Sequence, residues 1–361
     1  MILKTLQLKN FRNYSSEKIV FGEGINVLRG ANASGKTNML EAVYLLGLGR
    51  SPRTNKEKEL ITFGEERAVI RAEIQKKYRS HTVEVVLDKS AKKILIDGIP
   101  IKRLSELIGI INVVYFSPDE LKLVKSGPAE RRQFLDISLS QQSKTYFKSL
   151  AKYNKILAQR NALLKSDNSN PNLKNLLSVW DVQLAEAGAN LILARNNYVK
   201  KLDVSASAVH DTLSDGKEIL RLSYETSAQG ENYEEINNAL LQKFTSNYDK
   251  DIALFHTSEG PHRDDVKITL NDIDARRFAS QGQQRSTALS VKIAELSLFR
   301  RETGEAPILL LDDVLSELDL DRKEKLLSLA SSTQTMITCT EFDFKPSNLS
   351  KLYTIDNGKI L

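Results

Sequence analysis

The stretch 25-INVLRGANASGKTNMLEAVYLLG-47 joins a short apolar run to a helical pattern through a loop of small and polar residues. Within it, Gly30, four intervening residues, Gly35, Lys36 and Thr37 have the spacing of a phosphate-binding loop, in the strand–loop–helix context that such a loop requires. The residue types answer a physical need. Backbone N–H groups of Gly30, Ala31, Asn32, Ala33, Ser34 and Gly35 wrap phosphate oxygens. The positive end of the helix that follows, with Asn38 in its first turn, favours the same anion. Lys36 is expected to reach the β- and γ-phosphates, and Thr37 to ligate Mg2+. The alternative, a chance turn before a helix, is disfavoured by both flanks. An amphipathic helix is expected over 36–47, ended by Gly47.

The matching acid should end a buried strand. In 308-ILLLDD-313 four branched apolar residues precede Asp312 and Asp313. Carboxylates just beyond such a strand suit a Mg2+ site at the carboxyl edge of a sheet. Asp312 is the expected metal-side acid, directly or through water, and Asp313 the group that polarises an attacking water. A solvated turn with a helix-capping Asp is the plainer alternative.

Outward from these motifs the texture alternates. Residues 2–8 and 25–29 read as strands, 67–116 is β-rich, and Asp97-Gly98 is a two-residue hairpin signal. The apolar run 111–116 is a further strand. From 129 to 213 apolar residues recur at three- and four-residue spacing, with a polar break at 166–172. No sustained heptad and no internal repeat appear, so packed helices are expected, not long coiled-coil arms. Strand texture returns at 218–224 and 265–278, followed by a helix over 283–301, the strand of 308–313, another helix, and 334-QTMITCT-340. The fold class is α/β. Three segments are expected: 1–128 and 251–361 as the two parts of a nucleotide-binding head, and 129–250 as a helical lobe.

Composition narrows the class. The 361 residues are 41% hydrophobic, enough for a sizeable core, and carry a net charge of +6, which by itself only weakly favours nucleic acid. A single cysteine, Cys339, excludes an intrachain disulfide and a cysteine-cluster metal site, and fits a reducing, cytoplasmic setting. The N-terminus alternates like a strand and lacks a signal-peptide pattern, and no run is long enough to cross a bilayer.

The stretch 279-ASQGQQRS-286 opens the predicted helix of 283–301. Taken alone, Ser280 reads first as a helix N-cap. Its company widens the choice. A phosphate loop, then this Ser-Gln-Gly-Gln helix start, then an apolar strand with Asp-Asp, then 316-SELD-319, resembles the layout of the ATP-binding-cassette ATPases. In that family the segment equivalent to Ser280, Gln281, Gly282 and Gln283 is the signature, of form Leu-Ser-Gly-Gly-Gln, and here Gln281 replaces the first of its two glycines. The resemblance implies a cassette-type ATPase head in which Ser280 and Gly282 bind the γ-phosphate of ATP held by another copy. It also implies a D-loop containing Ser316 and Asp319, and Arg12 near the adenine.

Within that class the strings NFRNY (10–14), GKTNMLEAVYLLGLGRSPRT (35–54), SPDELKLVKSGPAERRQFLD (117–136), YNKILAQRNALLK (153–165), GPHRDD (260–265), FASQGQQRS (278–286) and LLLDDVLSELD (309–319) resemble the RecF family of bacterial recombination mediators. They run through the helical segment as well as the core. The resemblance implies a head with a helical second lobe and no arms, ATP-dependent homodimers on DNA, and weak, DNA-dependent ATP hydrolysis. It also implies recombinase loading at gaps between single and double strands, with RecR and RecO as partners. The soluble energy-coupling subunit of a membrane transporter, and a nucleotide sensor that does not hydrolyse, are the competing classes.

Some positions depart from the pattern. Ala33 and Ser34 stand where relatives often have Gly-Gln, and if position 33 needs a positive φ, alanine there costs about 1 kcal/mol. Pro52 replaces a frequent histidine. Asp313 stands where most cassette ATPases have Glu, so slow turnover is expected, and Thr340 stands where many place a switch histidine, so a histidine-driven hydrolysis step is not expected. Basic residues are scattered without interleaved aromatics, which favours sequence-tolerant phosphate contact over base readout. Lys122, Lys125, Arg131 and Arg132 are the candidate DNA contacts, although the FLD that follows is equally suited to fix both arginines by ion pairing. His262 and Arg263 are placed either to buttress the nucleotide edge or to pair with Asp264 and Asp265.

Overall fold

A computed structural model describes residues 1–166, 172–342 and 348–361. In chain order the strands are β1 (Ile2–Phe11), β2 (Tyr14–Val20), β3 (Ile25–Arg29), β4 (Arg67–Gln75), β5 (Ser80–Asp88), β6 (Lys92–Ile96), β7 (Ile99–Pro100), β8 (Val113–Phe116), β9 (Leu220–Glu225), β10 (Asp265–Leu270), β11 (Ile273–Asp274), β12 (Ile308–Asp312), β13 (Thr335–Cys339), β14 (Leu349–Asp356) and β15 (Lys359–Ile360). The helices are α1 (Lys36–Leu48), α2 (Leu104–Leu107), α3 (Lys122–Lys125), α4 (Pro128–Gln142), α5 (Lys144–Leu164), α6 (Leu173–Ser214), α7 (Tyr233–Ser246), α8 (Tyr248–Leu254), α9 (Ala275–Phe278), α10 (Gln281–Thr303) and α11 (Leu320–Leu329). None of the described helices is long and apolar enough to cross a membrane.

The described residues divide into two compact units. The first comprises Met1–Glu120, Val209–Gly216 and Ala288–Leu361. Its central sheet has the order β15-β14-β3-β13-β12-β8. All neighbours from β14 to β8 are parallel, and β15 closes the edge antiparallel. Every residue of β12 and β13 is buried, as strands covered on both faces must be. The register sets Asp312 beside Thr338 and Leu310 beside Tyr115.

Helix α1 departs from the amphipathic form expected of it. Eleven of its thirteen residues are buried, so it is apolar nearly all round. Gly47 lies inside it. The helix ends one residue after Leu48 at Gly49, whose φ of 68° lets its N–H turn back onto the Leu45 carbonyl.

The second sheet of this unit, β2-β1-β4-β5-β6-β7, is an antiparallel meander. The alternating burial of β4 gives it one core face. Asp97 and Gly98 make the β6–β7 turn as the sequence indicated, with φ of 52° and 80°.

The other unit comprises Leu121–Ala208 and Lys217–Thr287. Helices α4, α5 and α6 occupy the segments expected to be helical, while most of the polar break at 166–172 lies outside the described residues. Fully buried Arg160 of α5 binds Asp181 of α6 at 2.6 Å and Asp251 of α8 at 2.7 Å. The three-stranded sheet β11-β10-β9 belongs here, and its β9–β10 pairing draws residues 251–287 into the helical unit. The strand expected over 265–278 is shorter. Asn271 and Asp272, both at positive φ, turn the chain after β10, and Asp274 then caps α9 by accepting the Arg277 N–H at 3.0 Å.

Candidate nucleotide site

The loop expected to bind phosphate lies between β3 and α1, at the carboxyl edge of the parallel sheet. Three neighbours hold its backbone. The Asn13 amide donates to the Ser34 carbonyl at 3.0 Å, and the Tyr14 hydroxyl donates to the Gly35 carbonyl at 2.9 Å. From the β14–β15 turn, the Gly358 N–H donates to the Ser34 carbonyl at 2.8 Å. A side chain at Gly30 would begin 2.2 Å from the Ile355 carbonyl oxygen, so only glycine lets the loop lie against β14. Ala33 has a φ of 64°, the conformation that makes alanine costly.

Lys36 folds back over the loop, its Nζ donating to the carbonyls of Gly30 and Ala31 at 2.7 Å each. Burial lowers its pKa, partly opposed by Asp313, Cys339 and Asp312. Thr37 Oγ1 donates to Asp312 Oδ1 at 2.8 Å. The same oxygen accepts from Thr338 at 2.7 Å, and Asp312 Oδ2 accepts from the Tyr115 hydroxyl at 3.0 Å. Burial, reinforced by the Asp312 carboxylate, raises the Tyr115 pKa. Thr338 in turn accepts the Asp313 N–H at 2.9 Å. Asp313 is exposed and sits at a φ of 53°, outside the strand direction, so the two adjacent carboxylates are set apart by backbone conformation. Ser316 Oγ donates to the Asp313 carbonyl at 2.8 Å, and Asp319 caps α11 through the Arg322 N–H. Thr340 is exposed just past β13.

One hydroxyl and one carboxylate suit Mg2+, which takes one or two protein oxygens and completes its octahedron with water and phosphate. Thr37 and Asp312 supply that pair; no larger cluster of His, Cys, Asp and Glu is present among the described residues.

Arg12 lies at a positive φ of 54° in the β1–β2 turn. Its guanidinium binds Glu41 of α1 through Nε at 2.9 Å and Nη2 at 2.8 Å, and Nη1 donates to the Glu59 carbonyl at 2.8 Å. Glu41 is only 1% exposed and also accepts from Ser51 at 2.6 Å. Arg12, Asn13, Asn38, Arg53 and Phe63 line a cavity of about 860 Å3. Phe63 is fully exposed at its rim.

In the helical unit, Ser280 is a helix cap. Its hydroxyl accepts the Gln283 N–H at 3.2 Å, and the Gln283 side chain accepts the Ser280 N–H at 2.8 Å. The Gln283 amide also donates to Glu218 at 2.9 Å. Gln281 and Gly282 open α10, and a side chain at Gly282 would meet nothing within 4 Å.

The matching family model, the RecF/RecN/SMC N-terminal domain, covers residues 2–356. Proteins called DNA replication and repair protein RecF from Agathobacter rectalis and Lachnoclostridium phytofermentans are 44% and 45% identical over 364 residues, spanning all of this chain and 99% of theirs. The chain belongs to the RecF family. A solved structure of the recombination mediator protein RecF with ATP, in the RecFOR pathway, superposes with a TM-score of 0.92 at 38% identity, over 99% of this chain and 96% of that one. An Smc head from Pyrococcus furiosus shares the fold alone, at 18% identity and a TM-score of 0.59. The fold is therefore that of a cassette-type ATPase head.

Several contacts differ from those the sequence suggested. Arg131 is 5% exposed and pairs through Nε and Nη2 with Asp265 at 2.6 and 2.8 Å, while Nη1 donates to the Leu123 and Ser126 carbonyls. Its acid is thus not the Asp136 of FLD, which binds Arg195 at 2.7 Å. Arg132 donates to the Asp264 carbonyl at 2.7 Å, whereas Lys122 and Lys125 are exposed on α3. His262 pairs with neither Asp264 nor Asp265. Its Nε2 lies 3.0 Å from the Thr257 carbonyl, which can only accept, so the Tyr153 hydroxyl 2.7 Å from Nδ1 donates to a neutral ring. Burial lowers the His262 pKa to about 4 and raises that of Asp264 to about 6.

Sequence inspection missed Asn13, Tyr14, Glu41, Tyr115, Thr338 and Gly358. Only the last had a usable signal: Asn357-Gly358 is a hairpin dipeptide, and both residues take positive φ.

Proposed function

We propose that this chain is an ATP-dependent DNA-binding protein of replication and recombinational repair, working as an ATP-gated homodimer with weak, DNA-dependent hydrolysis. The Thr37–Asp312 bond carries the proposal, because it couples the phosphate loop to the acid of the neighbouring strand in a chain similar from end to end to RecF proteins.

In this mechanism the N–H groups of residues 30–37 cradle the phosphates. Lys36 exchanges two loop carbonyls for phosphate oxygens, an exchange that its partial burial makes favourable. Thr37 and Asp312 hold Mg2+, which neutralises phosphate charge when bound. Asp313, exposed and turned away from the strand, orients the attacking water. In this reading the nucleoside enters the cavity that Arg12 and Phe63 line. Ser280 and Gly282 of a second copy close over the γ-phosphate, and hydrolysis releases them. RecR and RecO are the expected partners at gapped DNA.

Sedimentation with ATP and Mg2+, with ADP, and without nucleotide tests this directly. Dimers formed with ATP alone are expected; a mass indifferent to nucleotide, with and without gapped DNA, would overturn the gating.

A further inference from the structure

Helix α5 carries Lys144, Lys148, Lys152 and Lys155, and not one Asp or Glu in 21 residues. At 100° per residue the four lysines fall within about 80° of arc, with a rise of about 6 Å for each four-residue step. All four are exposed, while Tyr146, Tyr153, Ile156, Arg160 and Leu164 are buried on the opposite side. None of the four forms an ion pair among the described residues. We propose that this lysine row is a binding surface for the phosphodiester backbone of DNA.

A solvated helix face normally mixes its charges. The short α11 does so, interleaving Asp321, Arg322, Lys323, Glu324 and Lys325. On α5 the like charges instead stand at i, i+4 and i, i+3, arrangements that disfavour the helix. Lys144 also occupies the first turn, where the dipole disfavours a cation and no acid compensates. A polyanion lying along the helix removes all these penalties together. The spacing suits a linear array of phosphates better than a compact acidic site. No aromatic residue lies on the stripe, so contact is to backbone and not to stacked bases. Arg131, by contrast, is already engaged by Asp265.

This surface rests on the DNA-binding function proposed above. The test is fluorescence anisotropy of the full chain, with ATP and Mg2+, on labelled gapped duplex at several KCl concentrations. K144Q/K148Q/K152Q/K155Q should flatten the log–log salt dependence by about 3 to 4, at about 0.9 per lost phosphate contact. The matching four-arginine variant should restore it, and ATP binding should be unchanged in both. A glutamine variant with the parent's slope overturns the surface while leaving DNA binding in place. Loss in the arginine variant too would make the row structural. Parent protein that binds no DNA removes the functional proposal and this one with it. Glutamine-sensitive binding to phosphatidylserine vesicles in place of DNA would reassign the face to a membrane.

Discussion

Thr37 donates to Asp312 at 2.8 Å, joining the phosphate loop to a strand end 275 residues away. Thr338 donates to the same carboxylate oxygen, so Asp312 keeps a partner if Thr37 is lost. Thr37→Val should therefore cost only about 1 kcal/mol of stability. Its larger effect should be on Mg2+: isothermal titration should show ATP affinity that no longer rises when Mg2+ is added. Unchanged Mg2+ enhancement would remove Thr37 from the metal site.

Ala33 holds a φ of 64° inside the loop. Relieving that strain outweighs the entropy of an added glycine, so Ala33→Gly should raise stability by about 1 kcal/mol in urea denaturation. A loss of stability would mean that the unfolded-chain entropy added by glycine exceeds the strain relieved at this position.

Arg12 lines the cavity wall, and its place beside adenine is part of the proposed function. Its bidentate bond to Glu41 adds a structural role. Arg12→Ala leaves a carboxylate that is 1% exposed without its main cation, which should cost about 3 kcal/mol. Arg12→Ala/Glu41→Gln should recover most of that loss by thermal denaturation. If nucleotide affinity stays low in the double variant, Arg12 also serves the ligand.

What the sequence disclosed was local or chemically loud. The phosphate loop, the Asp312 strand, the Asp97-Gly98 turn and the helices of 129–213 each rest on a short pattern with one physical meaning. The supports of the site do not. Tyr115 and Thr338 reach Asp312 only because β8 and β13 flank β12 in parallel register, across 197 and 26 residues of chain, a pairing that no local pattern encodes. The helix over 36–47 was expected to be amphipathic, but α1 is buried nearly all round, and Glu41 survives there because Arg12 and Ser51 bind it. Arg131 found its acid on β10 and not in its own helix, which no local rule could indicate.

Asp264 and His262 oppose each other in pH. With its pKa raised to about 6 by burial, Asp264 favours the folded state at low pH, and that contribution is lost as pH rises from about 4 to 6. With its pKa lowered to about 4, His262 contributes stability above pH 6.5 that is lost as pH falls to 4. Between pH 4 and 6 the two slopes cancel, one proton against one. Asp264→Asn removes the first, so its stability should rise with pH in this window by at most about 1.4 kcal/mol per unit relative to the parent. Denaturant midpoints at three pH values measure the difference, and parallel profiles would show that Asp264 titrates elsewhere.

Ser280 is a helix cap in the structure and a γ-phosphate ligand in the proposed dimer, and one substitution separates these roles. Ser280→Asp keeps a good capping oxygen for the Gln283 N–H, so the denaturation midpoint should be close to the parent's. The new carboxylate would face the phosphate of the nucleotide held by the second copy, where like charges cost several kcal/mol. ATP-driven dimerisation should then weaken by more than about tenfold, while ATP binding to the monomer is retained. Ser280→Ala should behave differently, losing about 1 kcal/mol of stability with the cap and a smaller share of the dimer. Sedimentation of both variants with ATP and Mg2+ decides the matter. If Ser280→Asp dimerises as the parent does, capping is the whole role of Ser280, and the trans phosphate site must be built from other residues.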